Sequence, residues 1–539
     1  MKKKIIMMLG FAVAITMNSC TSLEENLIGD ITSDINIEGL EPPDGTEALG
    51  VMGAAYGSLR DAGTANHGGY YSIQEITTDE MCIATKGGDW FDGGILLDLH
   101  RHTYQPTHAF INGTWVQTYG AINVVNDVLR RNVDDDEDND VDANVVSQAR
   151  TLRAYYYWRM MDLYGNVKIV TETDNDPPQS SRQEVFDFVE SELLAALDIS
   201  EVSSTMDLSN SPLGTDNNPY SINQYGALGI LAKVYLNSEV YSGTARWAEA
   251  AAAADYIING GVYTLCGEGC SVKNLGRRPD VESDPEELVG YAAVFAPNNE
   301  RNPEHIFVVN YDEVTGGGMN FSQMNLHYSS QFTWNLQSQP WNGYATLEEF
   351  YNSYEDGDAR KANNFIVGDQ LDFGGSAILD YASDDGNLVL SYQPTINEIF
   401  PNSLREAGAR PGKFSFKQLG RDNMDNDYPI VRLGDIHLVR GEAMARNAGD
   451  WNMSLNDVNM IRTRAGVSTL SSIDADGFLA ERGREMFQEA ARRTDMIRFG
   501  AYNGTWWEKE ASDEHYNIFP IPTDQITASG GSLTQNPGY

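Results

Sequence analysis

Tyr428-Pro429-Ile430-Val431-Arg432-Leu433-Gly434-Asp435-Ile436-His437-Leu438-Val439-Arg440-Gly441-Glu442-Ala443-Met444-Ala445-Arg446 heads a C-terminal stretch that runs to Gly500. At about 100° per residue, Leu433, Ile436, Val439, Ala443 and Met444 fall on one arc of roughly 140°, with Asp435, Glu442 and Arg446 facing away. Gly441 and Ala445 carry little bulk, so a neighbouring helix can come close. A second helix signal covers Leu455 to Arg464. A third, Phe478 to Arg498, carries Glu481-Arg484, Arg482-Glu485 and Glu489-Arg493 at i,i+3 and i,i+4 spacing. The stretch reads as a block of stacked helices.

Further helix signals run through the first half of the chain: Thr46 to Arg60, Phe110 to Arg131, Val145 to Tyr164, Arg182 to Leu197, Ile222 to Asn237 and Ala245 to Ile258. The spacings Ala227, Leu231, Ala232, Tyr235, Leu236 and Trp247, Ala250 resemble tetratricopeptide helix pairs, which stack to bury a continuous seam. Between 261 and 427 the texture changes: Gly, Asn, Pro and Asp dominate, and His305-Ile306-Phe307-Val308-Val309 is a short strand signal. This stretch reads as an irregular insertion on a helical scaffold. Long ordered loops in a compact protein are usually functional, so the site is expected there and in 61–108.

The segments Glu442-Ala443, Leu455 to Gly466, Glu481-Arg482-Gly483-Arg484-Glu485-Met486, Arg492 to Gly500, Phe519-Pro520-Ile521-Pro522 and Gln535-Asn536-Pro537-Gly538-Tyr539 together closely resemble the SusD/RagB family of outer-membrane nutrient-binding lipoproteins. The resemblance implies a mainly α fold. Tetratricopeptide-like helix pairs would form a right-handed superhelix, with a loop-rich insertion carrying a few short strands. It divides the chain into a helical region at 46–260, a ligand-binding region at 261–427 and a C-terminal helical region at 428–539. It further implies capture of a ligand without turnover and delivery to a SusC-like, TonB-dependent outer-membrane transporter.

The chain has 539 residues and a formal net charge of −41. Such a field repels phosphate backbones, which speaks against nucleic acid as a partner. Met1-Lys2-Lys3-Lys4 and the apolar run Ile5 to Met17 read as a secretory leader (1–19) that is too short to span a bilayer. Ser19-Cys20 fits a lipobox, making Cys20 the acylated first residue of a 20–45 tether; plain cleavage and a signal anchor are the alternatives. Thr21-Ser22-Leu23-Glu24-Glu25 resembles the export signal of surface lipoproteins, so the expected location is the cell surface, lipid-anchored in the outer membrane. Cys266 and Cys270 either close a small disulfide or stay as free thiols, with Cys82 free in both cases.

Two stretches carry the parts of a sugar site. Asp89-Trp90-Phe91-Asp92 sits among four glycines and sets an indole between two carboxylates. A flat aromatic face stacks on the C–H face of a pyranose, and carboxylates and amides bond vicinal hydroxyls. The competing reading is a turn whose Trp90 plugs the core. In the second stretch Trp334, Trp341, Asn342 and Tyr344 line up in a loop-rich zone, each with a core reading beside the ligand reading. Arg360 offers a planar fork of donors to hydroxyls, or a structural salt bridge. Asp134 to Asp140 departs from a calcium loop at Asn139 and Val145, which leaves a solvated loop with a weak Ca²⁺ option. His100 and His102 lack a third metal ligand and read as polar contacts. The motifs of metalloproteases, serine hydrolases, P-loop enzymes and dinucleotide-binding enzymes are absent. A glycan is the expected ligand, no enzyme activity or cofactor is expected, and a RagB-type peptide ligand is the alternative.

Overall fold

The computed structural model describes residues 46–133, 142–172, 176–380 and 388–539. The leader, Cys20, the tether and the run Asp134 to Asp140 lie outside the described residues. The helices that matter for the site are α1 (Thr46–Asp61), α2 (Tyr70–Glu75), α3 (Ile95–Arg101), α4 (Ala109–Val133), α5 (Ala143–Tyr164), α6 (Arg182–Leu197), α7 (Gln224–Leu236), α8 (Trp247–Gly260), α9 (Leu433–Ala448), α10 (Leu455–Arg464), α11 (Ala475–Met486) and α12 (Arg492–Arg498). Four short strands complete the frame: β1 (Met81–Cys82), β2 (His305–Val309), β3 (Ala345–Thr346) and β4 (Tyr428–Arg432).

Local chemistry sets the helix ends. The Ser181 hydroxyl accepts from the Glu184 amide while Glu184 accepts from the Ser181 amide, a capping box that starts α6. Asp142 caps α5 through the amides of Asn144 and Val145. Successive helices then pack pairwise: α4 on α5, α5 on α6, α7 on α8, α8 on α9 and α9 on α10. The fold is mainly α, as expected. Gly441 does bring α9 close to its neighbour, because a Cβ there would lie 3.3 Å from the Cβ atoms of both Ser454 and Asp457.

β2 and β4 pair antiparallel, Tyr428 with Val309 and Arg432 with His305. The loop-rich stretch therefore leaves and rejoins the helical frame at one place. β1 pairs with β3, Met81 with Thr346 and Cys82 with Ala345, which brings the 79–94 segment against the second loop region.

The charged residues of the C-terminal block depart from the sequence expectation. Asp435 and Glu442 do not face solvent; both are fully buried. Glu442 takes Arg498 and Arg446, and Asp435 takes Arg482 and Lys233. Arg432 reaches Glu304, Glu485 and Glu489 at 2.6 to 2.8 Å, and Arg464 bridges Glu304 and Glu485. Of the three local pairs read on the third helix, Glu481–Arg484 forms. The other two are replaced by partners on distant elements: Arg482 takes Asp495, Glu489 takes Arg432 and Lys413, and Arg493 takes Asp162. Burial alone would raise the carboxyl pKa values, yet the surrounding guanidiniums hold Glu442 and Glu481 down at about 2.

The third helix is also broken, into α11 and α12. Gln488 and Ala490 take left-handed φ values of 63° and 56°. The carbonyl that ends α11, that of Glu485, accepts from Arg432 at 3.1 Å and Lys413 at 2.9 Å, and the Ala490 amide donates to Glu75 at 2.7 Å. Buried cations thus satisfy the carbonyl the broken helix leaves open. Among the described residues no helix is long and apolar enough to cross a membrane.

Candidate functional site

The segment after β1 turns sharply. Lys86 and Asp89 exchange backbone hydrogen bonds of 3.0 and 3.1 Å, and Gly87 takes φ 64°. Trp90 (φ 65°) and Asp92 (φ 42°) follow in left-handed backbone, as do Gly93 and Gly94. Two non-glycine residues held in that region mark a loop over-determined by its surroundings.

Polar straps hold it. The Trp90 indole Nε1 donates to the Trp341 carbonyl at 2.8 Å. The Lys86 ammonium group, fully buried, donates to the carbonyls of Gly343 (3.1 Å) and Ala84 (3.4 Å); burial, with Arg410 nearby, holds its pKa well below the ordinary lysine value. The Asn342 side chain donates to the Arg405 carbonyl at 3.0 Å, and Arg410 donates to the carbonyls of Tyr344 and Arg405. The Thr85 amide donates to Ile399 and the Gly87 amide to the Asn402 side chain, at 2.9 and 2.7 Å. Segments 85–94, 341–345 and 399–410 are thereby locked into one surface. Gly343 is required where it stands, since a Cβ would lie 2.6 Å from Met324 Cε and 3.0 Å from the Met324 carbonyl.

On this base stand exposed rings. Trp341, Phe91 and Phe400 are 42, 45 and 44% exposed, with Phe91 and Phe400 5.7 Å apart between ring centroids. Trp90 is half-buried and meets the ring of His67 edge-on at 5.4 Å. His67 lies behind it, and burial lowers its pKa to about 4, so it is neutral at physiological pH. Tyr328 donates its hydroxyl to the Asp89 carboxylate; burial and that carboxylate push the phenol pKa up. The result is a shelf of aromatic faces edged by Asp89, Asp92, Asn402 and Arg405.

The structure brings Asp89, Trp90, Asp92, Trp341 and Asn342 into this region, with Asn342 buried beneath it as a strap. Three expected ligand residues fall elsewhere. Tyr344 is fully buried, its hydroxyl 2.7 Å from Ser72 Oγ, because the chain reverses at Asn342 (φ 60°) and sends the ring inward. Arg360 is fully buried between Asp358, Glu481 and Glu485, so the salt-bridge reading describes it. Trp334 packs edge-on against Phe416 at 5.2 Å, away from the shelf. Phe91 and Tyr328 lie in the two candidate stretches of the sequence without being chosen as ligand residues, and Phe400, Asn402 and Arg405 lie outside both; an aromatic next to Pro401 and Asn402 in a loop was the available signal.

Cys266 and Cys270 form a disulfide with a Cα separation of 5.2 Å, and Cys82 is a buried free thiol that burial pushes up to about 12. His100 and His102 make polar contacts, to the Trp507 carbonyl and to Thr77 and Ser512.

Residues 296–539 match the model of the SusD family, and residues 71–236 match a model described as starch-binding associating with outer membrane. Starch-binding protein SusD of Bacteroides thetaiotaomicron is 23% identical over 516 residues, covering 87% of this chain and 85% of that protein. A SusD superfamily protein from Parabacteroides distasonis superposes with a TM-score of 0.69 at 19% identity, over 93% of this chain and all of that one. Surface glycan-binding protein A from Bacteroides thetaiotaomicron in complex with laminarihexaose gives 0.68 at 19% identity, over 91% of this chain and 99% of that one.

Proposed function

Because the chain belongs to the SusD/RagB family, we propose that it is a lipid-anchored, surface-exposed outer-membrane protein that captures oligo- or polysaccharide and passes it to a SusC-like, TonB-dependent transporter. The observation that carries the reading is the shelf. Trp341, Phe91 and Phe400 offer ring faces to solvent beside carboxylates, an amide and a guanidinium. Apolar ring faces take the C–H faces of sugars, while Asp89, Asp92, Asn402 and Arg405 bond hydroxyls that would otherwise hold water. The starch and laminarihexaose named for similar proteins are both glucans, which supports a glycan as the ligand class.

Acylation at Cys20 would supply the membrane attachment, and the helical face away from the shelf would meet the transporter. Stacking and exchangeable hydrogen bonds give modest affinity, micromolar or weaker, because each polar contact displaces water of nearly equal value. The ligand leaves as it arrived: binding, without turnover, is the activity.

Calorimetric titration of the protein against starch, laminarin and other glycans tests this, with Trp341→Ala alongside. Heat with one glycan class that the substitution abolishes supports capture by the shelf. No heat with any glycan, followed by binding to a peptide digest, moves the protein to the RagB-type reading.

A further inference from the structure

A second pair of tryptophans stands beside the shelf. Trp506 and Trp507 pack, half-buried, against an apolar cluster made of Cys82, Ala84, Leu97, Ala345, Leu347, Ile396, Ile399 and Ala407. Each element of the shelf is rooted in that cluster. Ala84 and Leu97 flank the loop that carries Trp90 and Phe91, Ala345 follows the Trp341 segment, and Ile399 precedes Phe400. The loops that carry the shelf rings and the turn that carries the two tryptophans thus share one apolar cluster, while the Trp90 ring itself packs on the main core.

The tryptophan turn is unusually well fixed for a surface loop. Trp506 and Lys509 exchange backbone hydrogen bonds of 3.2 and 3.0 Å, with Glu508 at φ 58°. The Lys509 ammonium lies 4.1 Å from the Trp506 ring centroid and donates to the carbonyls of Gly504 and Glu510 and to Ser512 Oγ. Trp506 is wedged inward between His100 and His102, 6.4 and 5.3 Å away. Trp507 is held from below, its carbonyl accepting from His100 at 2.9 Å. At the rim, Arg101 of α3 donates to Glu508 at 2.8 Å, and both side chains are more than a third exposed. A fixed indole beside a guanidinium and a carboxylate repeats the chemistry of the shelf.

We propose that Trp507, with Arg101 and Glu508, is a second ring-stacking position for the same glycan chain, reached across α3 from the shelf, so that this protein selects long chains over short ones. The inference rests on the glycan reading of the shelf. A trisaccharide occupies the shelf alone; a polymer continues across α3 and gains the second contact intramolecularly, at the high effective concentration that a short linker gives.

The test measures affinity of the full chain for maltotriose, amylose, laminaritriose and laminarin, in wild type, Trp507→Ala, Trp507→Phe and Trp341→Ala. Thermal melting of each variant checks that it folds. Trp507→Ala is expected to weaken polymer binding about three- to tenfold and leave trisaccharide binding unchanged, with Trp507→Phe restoring most of the loss. Polymer affinity equal to wild type in Trp507→Ala, while Trp341→Ala loses it, overturns the second position and leaves the shelf standing. Equal loss for trisaccharide and polymer in Trp507→Ala also overturns it, since that marks a structural role. Binding by the wild type of no glycan at all, these four and the rest of the titrated panel included, overturns both readings.

Discussion

The indole Nε1 of Trp90 donates to the backbone carbonyl of Trp341 at 2.8 Å, joining two loops that lie 251 residues apart in the chain. One ring thereby positions the other: Trp90 is half-buried and fixes the backbone from which Trp341 projects, 42% exposed. Trp341→Ala is expected to lower glycan affinity at least tenfold. Trp90→Phe, which keeps a ring but loses the donor, should lower stability by about 1 kcal/mol, the worth of one hydrogen bond, and lower glycan affinity by less than Trp341→Ala does. Both are read by calorimetry, with circular dichroism unchanged. Full affinity in Trp341→Ala would remove the shelf from consideration.

Arg432 is expected to matter for stability and not for ligand. Arg432→Met leaves Glu304, Glu485 and Glu489 buried with less compensation, and uncompensated buried charge costs about 3 to 5 kcal/mol. Urea unfolding would show the loss as a lower midpoint, while the folded fraction binds glycan as wild type does. A midpoint within error of wild type would contradict the structural role given to this cluster.

Two kinds of buried carboxyl give stability opposite dependences on pH below neutrality. Glu442 and Glu481 have folded pKa values of about 2, below the ordinary value of about 4.3, so their contribution is present above the latter and lost as pH falls through the former. Glu75 is the reverse. Burial raises its pKa to about 7, offset in part by the Ala490 amide and Lys413, with Glu489 opposing them and the Glu80 carboxyl beside it also raised by burial. Its contribution is complete below about 4.3 and lost as pH rises through 7. Glu75→Gln should therefore stabilise the protein at pH 8 by roughly 1 to 3 kcal/mol relative to its effect at pH 4. Equal effects at the two pH values would show that Glu75 titrates normally.

Cys82 is buried, and its thiol is pushed up to about 12, so little thiolate is present or reachable in the folded protein. A maleimide or an aromatic disulfide reagent should label no cysteine of the 48–539 unit until denaturant is added, and then Cys82 alone unless the protein is reduced. Labelling of Cys266 or Cys270 in the native, unreduced protein would contradict the disulfide.

The helices were legible because their signals are local. α6 and α10 begin and end where periodicity places them, while periodicity starts α5 and α11 late, at Val145 and Phe478, because the capping side chains of Asp142 and Asp474 carry that information instead. Charge was harder to read. A carboxylate on the polar arc of α9 looks solvated until the partner arrives, and apart from the local Arg446 the partners of Glu442 and Asp435 come from α11, α12 and α7. The carbonyl left open by the break between α11 and α12 is likewise satisfied by cations from outside the helix, which no local pattern shows. In the site, Trp341 and Tyr344 are three residues apart in the same kind of sequence, yet one ring is exposed and the other fully buried. Their orientations follow from the left-handed backbone at Asn342 and from contacts with residues 324 and 405, none of which is visible in the local sequence.

The pairing of β2 with β4 clamps the two ends of the 310–427 stretch side by side. A segment whose two ends are already clamped side by side adds little to the entropy of closing the fold when it lengthens, since that term grows only logarithmically with loop length. Insertions or deletions in its exposed loops would leave the helix pairs in place so long as Arg360 and Lys413, which this stretch contributes to the buried ion pairs of Glu481, Glu485 and Glu489, are kept. New ligand preferences can then arise by rewriting loops of this segment against the fixed Asp89–Asp92 turn, while the helix pairs stay the same.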